Sequence, residues 1–173
     1  DAAGPFTVTL GSSQTAGNLT FQEGNVTLGG IAPGTNLTFN GPISVAAGAT
    51  GAVNVALLGT GGLTKSGAGY LSLAITNNFT GNVLVSGGTL AFANASDASE
   101  RYFGAPLASY TQNAITLANG TALRALASII TLTNRGITLS GSSATLGADG
   151  SAIFFIPTVI DGRGATLVKE IGR

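Results

Sequence analysis

The chain has 173 residues, no formal net charge at neutral pH, and only 8% charged residues. This balance offers no electrostatic surface for nucleic acid or for an anionic membrane, and no apolar run reaches the roughly 20 residues of a membrane-spanning helix. His, Cys, Met and Trp are all absent. We therefore expect no catalytic residue, no metal ligand, no cofactor-binding residue and no enzymatic activity.

The start of the chain, from Asp1 to Pro5, lacks the basic and apolar regions of a signal peptide and does not begin with Met. We expect a single segment, residues 1–173, that is a mature or excised part of a longer polypeptide.

Short segments that favour β-strands recur along the whole chain. The 27 glycines, together with abundant Thr, Asn and Ser, disfavour helices. Each predicted strand is four to eight residues long and ends in turn residues. In chain order the predicted strands are 6–10, 18–21, 25–28, 36–39, 51–58, 70–75, 82–86, 88–92, 113–117, 136–140 and 152–156. The best helix candidate is 95–110, which Gly104 and Pro106 would break.

The links between the predicted strands indicate how the strands pair. Asn-Gly and Asp-Gly pairs, the usual signals of tight hairpins, are too few and too irregular for a hairpin barrel. Short strands with glycine at the bends instead predict an all-β parallel β-helix, a solenoid of about seven or eight coils at roughly 20–25 residues each. Its predicted core comprises Leu63, Leu71, Leu73, Val83, Val85, Leu90 and Phe92.

The glycine-rich stretch from 61 to 69 contains Lys65 followed by Ser66, which raises the possibility of a phosphate-binding loop. A Walker A loop needs glycine directly before the lysine and a helix after it. Here Thr64 precedes Lys65, and the residues that follow are typical of a strand. We therefore predict a coil corner in which Lys65 extends into solvent. A related stretch near residue 162 gives a possible second copy of the same motif, with Lys169 in the place of Lys65.

The segment 59–94 resembles the autotransporter-associated β-strand repeat, also called the passenger-associated transport repeat. The matching residues are Gly-Gly-Leu-Thr-Lys-x-Gly-x-Gly from residue 61, followed by the alternating leucines Leu71 and Leu73 and by Gly-Thr-Leu at 88–90. Tyr70, Phe79 and Asn82 depart from the usual pattern but keep size and polarity. The resemblance covers about a fifth of the chain. It implies a right-handed parallel β-helix in a large bacterial surface or secreted protein, and it implies no enzymatic activity.

A candidate ligand-binding loop interrupts the strand rhythm at 94–110. Its candidate residues are Asp97, Glu100, Arg101, Tyr102 and Tyr110. Carboxylates beside Arg and Tyr could bind or act on a sugar, and long loops on rigid scaffolds often carry function. The alternative is a solvated loop between coils.

These features predict a structural stalk or spacer in an exported, adhesin-like bacterial surface protein. Two alternatives stay open at this point, a self-assembling extracellular filament subunit and a carbohydrate-binding or carbohydrate-active β-helix that uses the 94–110 loop. The expected partners are neighbouring coils of the same chain or head-to-tail copies, with surface glycans or receptors as further candidates and no nucleic acid.

Overall fold

The computed structural model describes residues 4–92, 100–126, 129–150 and 152–171. The described chain is a parallel β-solenoid of about seven turns, with strands on three sides of one elongated core. This confirms the predicted fold class, while the right-handed winding stays a prediction.

The first side, sheet one, has eight strands, each hydrogen-bonded in parallel to the next. Its strands are β1 (Pro5–Leu10), β4 (Asn25–Gly30), β7 (Thr50–Val53), β10 (Tyr70–Leu73), β12 (Thr89–Phe92), β14 (Thr121–Ala125), β17 (Ser143–Ala148) and β20 (Thr166–Ile171). The second side, sheet two, has seven strands. These are β3 (Leu19–Phe21), β6 (Ile43–Val45), β9 (Leu63–Ser66), β11 (Val83–Val85), β13 (Thr111–Ala118), β16 (Arg135–Ser140) and β19 (Ile160–Asp161).

The third side is less regular than the other two. It begins as a three-stranded sheet of β2 (Gln14–Ala16), β5 (Asn36–Phe39) and β8 (Ala56–Leu58), and it ends as a pair of β15 (Ile129–Thr131) and β18 (Ile153–Phe155). Between these two sheets, the described residues on this third side form no strand, and Asn77 continues the pairing by accepting the backbone N–H of Leu57 through its side-chain oxygen. A 3-10 helix, Glu100–Phe103, occupies this side one coil later.

Parallel pairing stacks equivalent residues into columns that run along the solenoid. In sheet one the inward column places Leu71 against Leu90, Leu90 against Leu123, and Leu123 against Leu146. These side chains are buried because alternate residues of a strand point to opposite sides of the sheet. All seven predicted core residues belong to the one continuous buried cluster, which confirms that prediction.

Two glycines show why the corner at 61–69 needs glycine. Gly62 and Gly67 have φ angles of 76° and 73°, a region that side-chain-bearing residues rarely adopt. A Cβ atom at Gly67 would lie 2.2 Å from the carbonyl oxygen of Val45, in the coil below. Glycine is therefore required here both by conformation and by close stacking of the coils.

The predicted strands are all present, and several others were missed. Each of the eleven predicted segments contains a strand, and the segment 51–58 contains two, β7 and β8. The stretch predicted as a corner is itself partly a strand, because β9 runs through Leu63–Ser66. Lys65 lies in sheet two and Lys169 in sheet one, so the two motif copies do not occupy the same place in a coil. The second copy of the motif, near residue 162, stays a prediction.

Candidate functional site

The candidate loop belongs to the longest coil of the described chain. The preceding coil runs only from Tyr70 to its strand partner Thr89, whereas this coil runs from Thr89 to its strand partner Ala122. Within this insertion the 3-10 helix places two aromatic side chains against the core. Tyr102 and Phe103 are buried, and their ring centroids lie 6.3 Å and 4.4 Å from that of Phe92. Aromatic burial therefore holds this end of the insertion on the solenoid.

Glu100 is a buried carboxylate that accepts hydrogen bonds from backbone groups of its own coil and of the next coil. Its Oε2 accepts the N–H groups of Thr133 and Asn134 at 3.1 and 3.0 Å, and its Oε1 accepts that of Leu107 at 3.4 Å. Only 7% of the residue is exposed. Hydrogen bonds from backbone N–H groups compensate a carboxylate for its loss of water, so Glu100 fastens the insertion to the turn before β16.

Arg135 completes this buried polar cluster. Its Nη2 donates to the carbonyl oxygen of Ala105 at 2.6 Å, and its Nε lies 3.9 Å from Oε1 of Glu100. Burial lowers the pKa of Arg135, and the nearby Glu100 carboxylate opposes that shift. The side chain of Asn134 adds a bond of 2.7 Å to the carbonyl oxygen of Leu107. Together these bonds attach residues 100–107 to the following coil.

The structure does not gather the predicted ligand-binding residues at one exposed position. Glu100 and Tyr102 are buried, Arg101 and Tyr110 are exposed, and Asp97 lies outside the described residues. The two buried side chains point into the protein, where their contacts are with the chain itself. Ligand binding by the 94–110 loop stays a prediction, and Arg101 and Tyr110 are its described exposed members.

The prediction that Lys65 extends into solvent is wrong. Lys65 is fully buried, and its Nζ donates to the carbonyl oxygens of Ser66, Gly67 and Gly87 at 2.9, 2.8 and 2.9 Å. The side chain points inward because Lys65 lies in the inward column of sheet two, between Ile43 and Val85. Burial lowers the pKa of this lysine to about 8. Sequence reasoning missed this because two of the acceptors depend on how the glycine corners fold and stack.

Three charged side chains converge on the outer side of sheet one, another feature that sequence reasoning missed. Arg124 forms ion pairs with Asp149 and, at 2.5 Å, with Glu170. Gly147 lies under the arginine in the register, and a Cβ there would be 3.3 Å from the Arg124 Cγ. Burial and Asp149 raise the pKa of Tyr70, while Arg124 opposes the rise. The charges are paired with one another, which is typical of a surface ion-pair ladder.

Both ends of the described solenoid open into apolar cavities. One cavity, of about 300 Å³, includes Phe6, Val8, Phe21, Val26 and Leu28 in its lining. At the other end a cavity of about 500 Å³ includes Leu146, Ala148, Ile156 and Leu167. Phe6 and Val8 are 42% and 45% exposed, although they stand in the inward columns of sheet one. The apolar interior thus reaches both ends of the described solenoid.

No helix in the described part of the chain is both long enough and apolar enough to cross a membrane. No group of three or more Asp or Glu side chains among the described residues is arranged to hold a metal ion.

Comparison with known proteins finds a homologue among bacterial adhesins. The chain is 42% identical over 151 residues to the adhesin BmaC autotransporter of Brucella suis biovar 1 (strain 1330). The matched region is 83% of this chain but only 4% of that protein. No family model and no solved structure matches the chain. The homology and the parallel β-solenoid together confirm the resemblance to an autotransporter passenger.

Proposed function

We propose that this chain, which belongs to the β-helical passengers of autotransporter adhesins by homology and by fold, is a stalk segment of a long exported protein. The observation that carries the proposal is the match of nearly the whole chain to a small fraction of a very long adhesin. A segment of this kind contributes length and stiffness. The adhesive contacts would then lie elsewhere in the polypeptide, which is displayed at the bacterial surface.

The inside of the solenoid supports a mechanical role. Among the described residues, one cluster of buried aliphatic and aromatic side chains runs along the solenoid from Phe21 to Leu146. Each pair of neighbouring strands in the two long sheets adds backbone hydrogen bonds parallel to the long axis. Eight stacked strands at about 4.8 Å give a rod roughly 35 Å long. Pulling on such a rod strains many hydrogen bonds at once.

The two open ends support a place inside a longer array. In the described chain β1 and β20 each pair on one side only, and exposed strand edges recruit further strands unless something covers them. We propose that flanking coils of the same polypeptide cover both ends. Further copies stacked head to tail are the alternative partner, and they would build a filament because such contacts need not close.

An in-frame deletion in the parent gene tests the stalk function. We expect bacteria that lack residues 1–173 of this segment to display a shorter passenger, by roughly 35 Å, and to keep adhesion at close range. Replacing the segment with an unrelated solenoid of similar length should restore the reach. We also expect the purified chain to show no saturable binding to host cells. If the purified chain binds cells and blocks adhesion by the bacteria, the segment is adhesive and the stalk proposal is wrong.

A further inference from the structure

Three backbone carbonyl oxygens converge on the ammonium group of Lys65. Ser66 is the last residue of β9 and Gly67 begins the corner after it, whereas Gly87 lies in the equivalent corner after β11, one coil further on. The three N···O distances lie between 2.8 and 2.9 Å, which is typical of charge-assisted hydrogen bonds. A single cationic head therefore joins two successive coils.

The chemistry of this corner is that of a small-cation site. Its three acceptors are neutral carbonyls, and the register neighbours Ile43 and Val85 are apolar. Three oxygens around one nitrogen match the three donors of a primary ammonium group. A guanidinium presents its donors in a wide planar fork and does not fit so compact a position.

The corner lies near the surface even though Lys65 does not. Lys65 is fully buried, whereas Gly67 is exposed and Ser66 and Gly87 are half-buried. The oxygens would thus stay within reach of a small solute if the lysine head were removed. Gly67 has a left-handed φ of 73°, and a Cβ on it would lie 2.2 Å from the carbonyl oxygen of Val45, so the coil below also constrains the backbone at Gly67.

We propose that this corner is a binding site for a primary ammonium or a monovalent cation of similar size, and that the chain fills it with its own Lys65. In this view the lysine of the glycine-rich motif is an internal ligand. It satisfies carbonyl groups that the coil geometry forces together, and it fixes the stacking of the coils at this corner.

Chemical rescue of Lys65→Ala tests the proposal. This substitution deletes three carbons and the amine, which together correspond to n-propylammonium. We expect the variant to melt on the order of 10 °C lower than the wild type. Saturating n-propylammonium chloride should restore about 3–5 °C, with ammonium less effective and tetramethylammonium at equal ionic strength without effect.

Two matched variants serve as controls. Lys169→Ala removes the exposed lysine of the related motif, so n-propylammonium should not raise its melting temperature. Lys65→Met fills the space of the lysine side chain with an apolar chain of similar length, so it should be destabilised and should not respond to the amine. Equal responses to n-propylammonium and tetramethylammonium in Lys65→Ala would overturn the proposal.

A measurement on the wild-type chain covers the case in which Lys65→Ala does not fold. In NMR spectra the Nζ protons of Lys65 should exchange slowly with water, and the ¹⁵Nζ nucleus should show couplings across the hydrogen bonds to the carbonyl carbons of Ser66, Gly67 and Gly87. A rapidly exchanging Lys65 ammonium, like that of Lys169, would show that the cation site does not exist.

Discussion

At the residue scale, stability depends on side chains in the inward columns. Leu73 is 1% exposed and stacks between Val53 and Phe92. We expect Leu73→Ala to lower the free energy of unfolding by about 2–5 kcal/mol, because truncating a buried leucine loses apolar burial and leaves a cavity. Urea unfolding followed by circular dichroism measures the change. Leu84→Ala, on the outward side of β11, is the control and should cost clearly less. A loss below about 0.5 kcal/mol for Leu73→Ala would contradict the packing.

The titration of Lys65 gives a second prediction at the residue scale. The pKa of Lys65 is about 8 in the folded chain, whereas an exposed lysine, as in the unfolded chain, has a pKa of 10.5. Between pH 8 and pH 10.5 the unfolded chain therefore keeps a proton on Lys65 that the folded chain has lost. The free energy of unfolding should therefore rise with pH, by about 2 kcal/mol between pH 7 and pH 9.5. The pH range of the measurement ends at 9.5, because the raised pKa of Tyr70 predicts that the free energy of unfolding falls above about pH 10.

Substitutions separate the contribution of Lys65 from those of other groups. Lys65→Met should abolish the rise between pH 7 and pH 9.5, whereas Lys169→Met should keep it. The same pH profile for wild type and Lys65→Met in urea unfolding would show that Lys65 does not titrate in this range.

Sequence reasoning found the inward leucines but not the inward charges, for a physical reason. Alternation of apolar and polar residues identifies Leu71 and Leu73 directly, since burial of these side chains needs no specific partner. Lys65 and Glu100 are buried only because backbone groups far along the chain meet them, at Gly87 in one case and Asn134 in the other. These contacts depend on the lengths of the coils, which the local alternation of apolar and polar residues does not predict.

At the element scale, the strands that sequence reasoning missed are formed by stacking. The strand β14 reads Thr-Ala-Leu-Arg-Ala, which favours a helix by composition, and β17 contains Gly147. Both are strands because they pair in register with neighbouring strands on both sides. The predicted strands at 36–39 and 70–75, by contrast, carry β-favouring residues in alternation and are identified without their neighbours.

The buried carboxylate of Glu100 gives the prediction for the inserted element. We expect Glu100→Ala to cost about 3 kcal/mol of unfolding free energy, because three N–H groups and Arg135 lose their partner. Glu100→Gln keeps an accepting oxygen and should cost less. Urea unfolding measures both variants.

A neighbouring residue on the same 3-10 helix supplies the control for Glu100. Arg101 is exposed, and Arg101→Ala should change stability by less than about 0.5 kcal/mol. Hydrogen exchange at Thr133 and Asn134 should accelerate in Glu100→Ala alone. Unchanged exchange at these two amides would mean that the carboxylate does not hold the insertion to the next coil.

At the scale of the whole molecule, the solenoid behaves as a stack in which each coil is buried by its neighbours. Stability in such a stack is approximately a sum of coil terms and interface terms between adjacent coils. The end coils have one interface each, so they should be the least stable part of the isolated chain. Flanking coils would add the missing interfaces.

The difference in stability between end coils and inner coils can be measured at two residues of one inward column of sheet one. Val8 and Val53 occupy the same column, linked through Leu28, but Val8 is 45% exposed and Val53 is 1% exposed. In the isolated chain we expect Val53→Ala to cost about 2 kcal/mol and Val8→Ala less than about 0.5 kcal/mol. In a chain extended by the coils that precede it in the parent polypeptide, Val8→Ala should approach the cost of Val53→Ala. The cost of Val53→Ala should be the same in both chains.

The same pair of variants distinguishes flanking coils from head-to-tail copies. If copies of the chain cover the ends, the cost of Val8→Ala in the unextended chain grows with protein concentration, and sedimentation velocity detects the oligomers. If flanking coils cover them, the cost depends on the extension and not on concentration. A small cost of Val8→Ala under every condition would mean that nothing packs on this end, and a stalk built by continuous stacking would then be excluded.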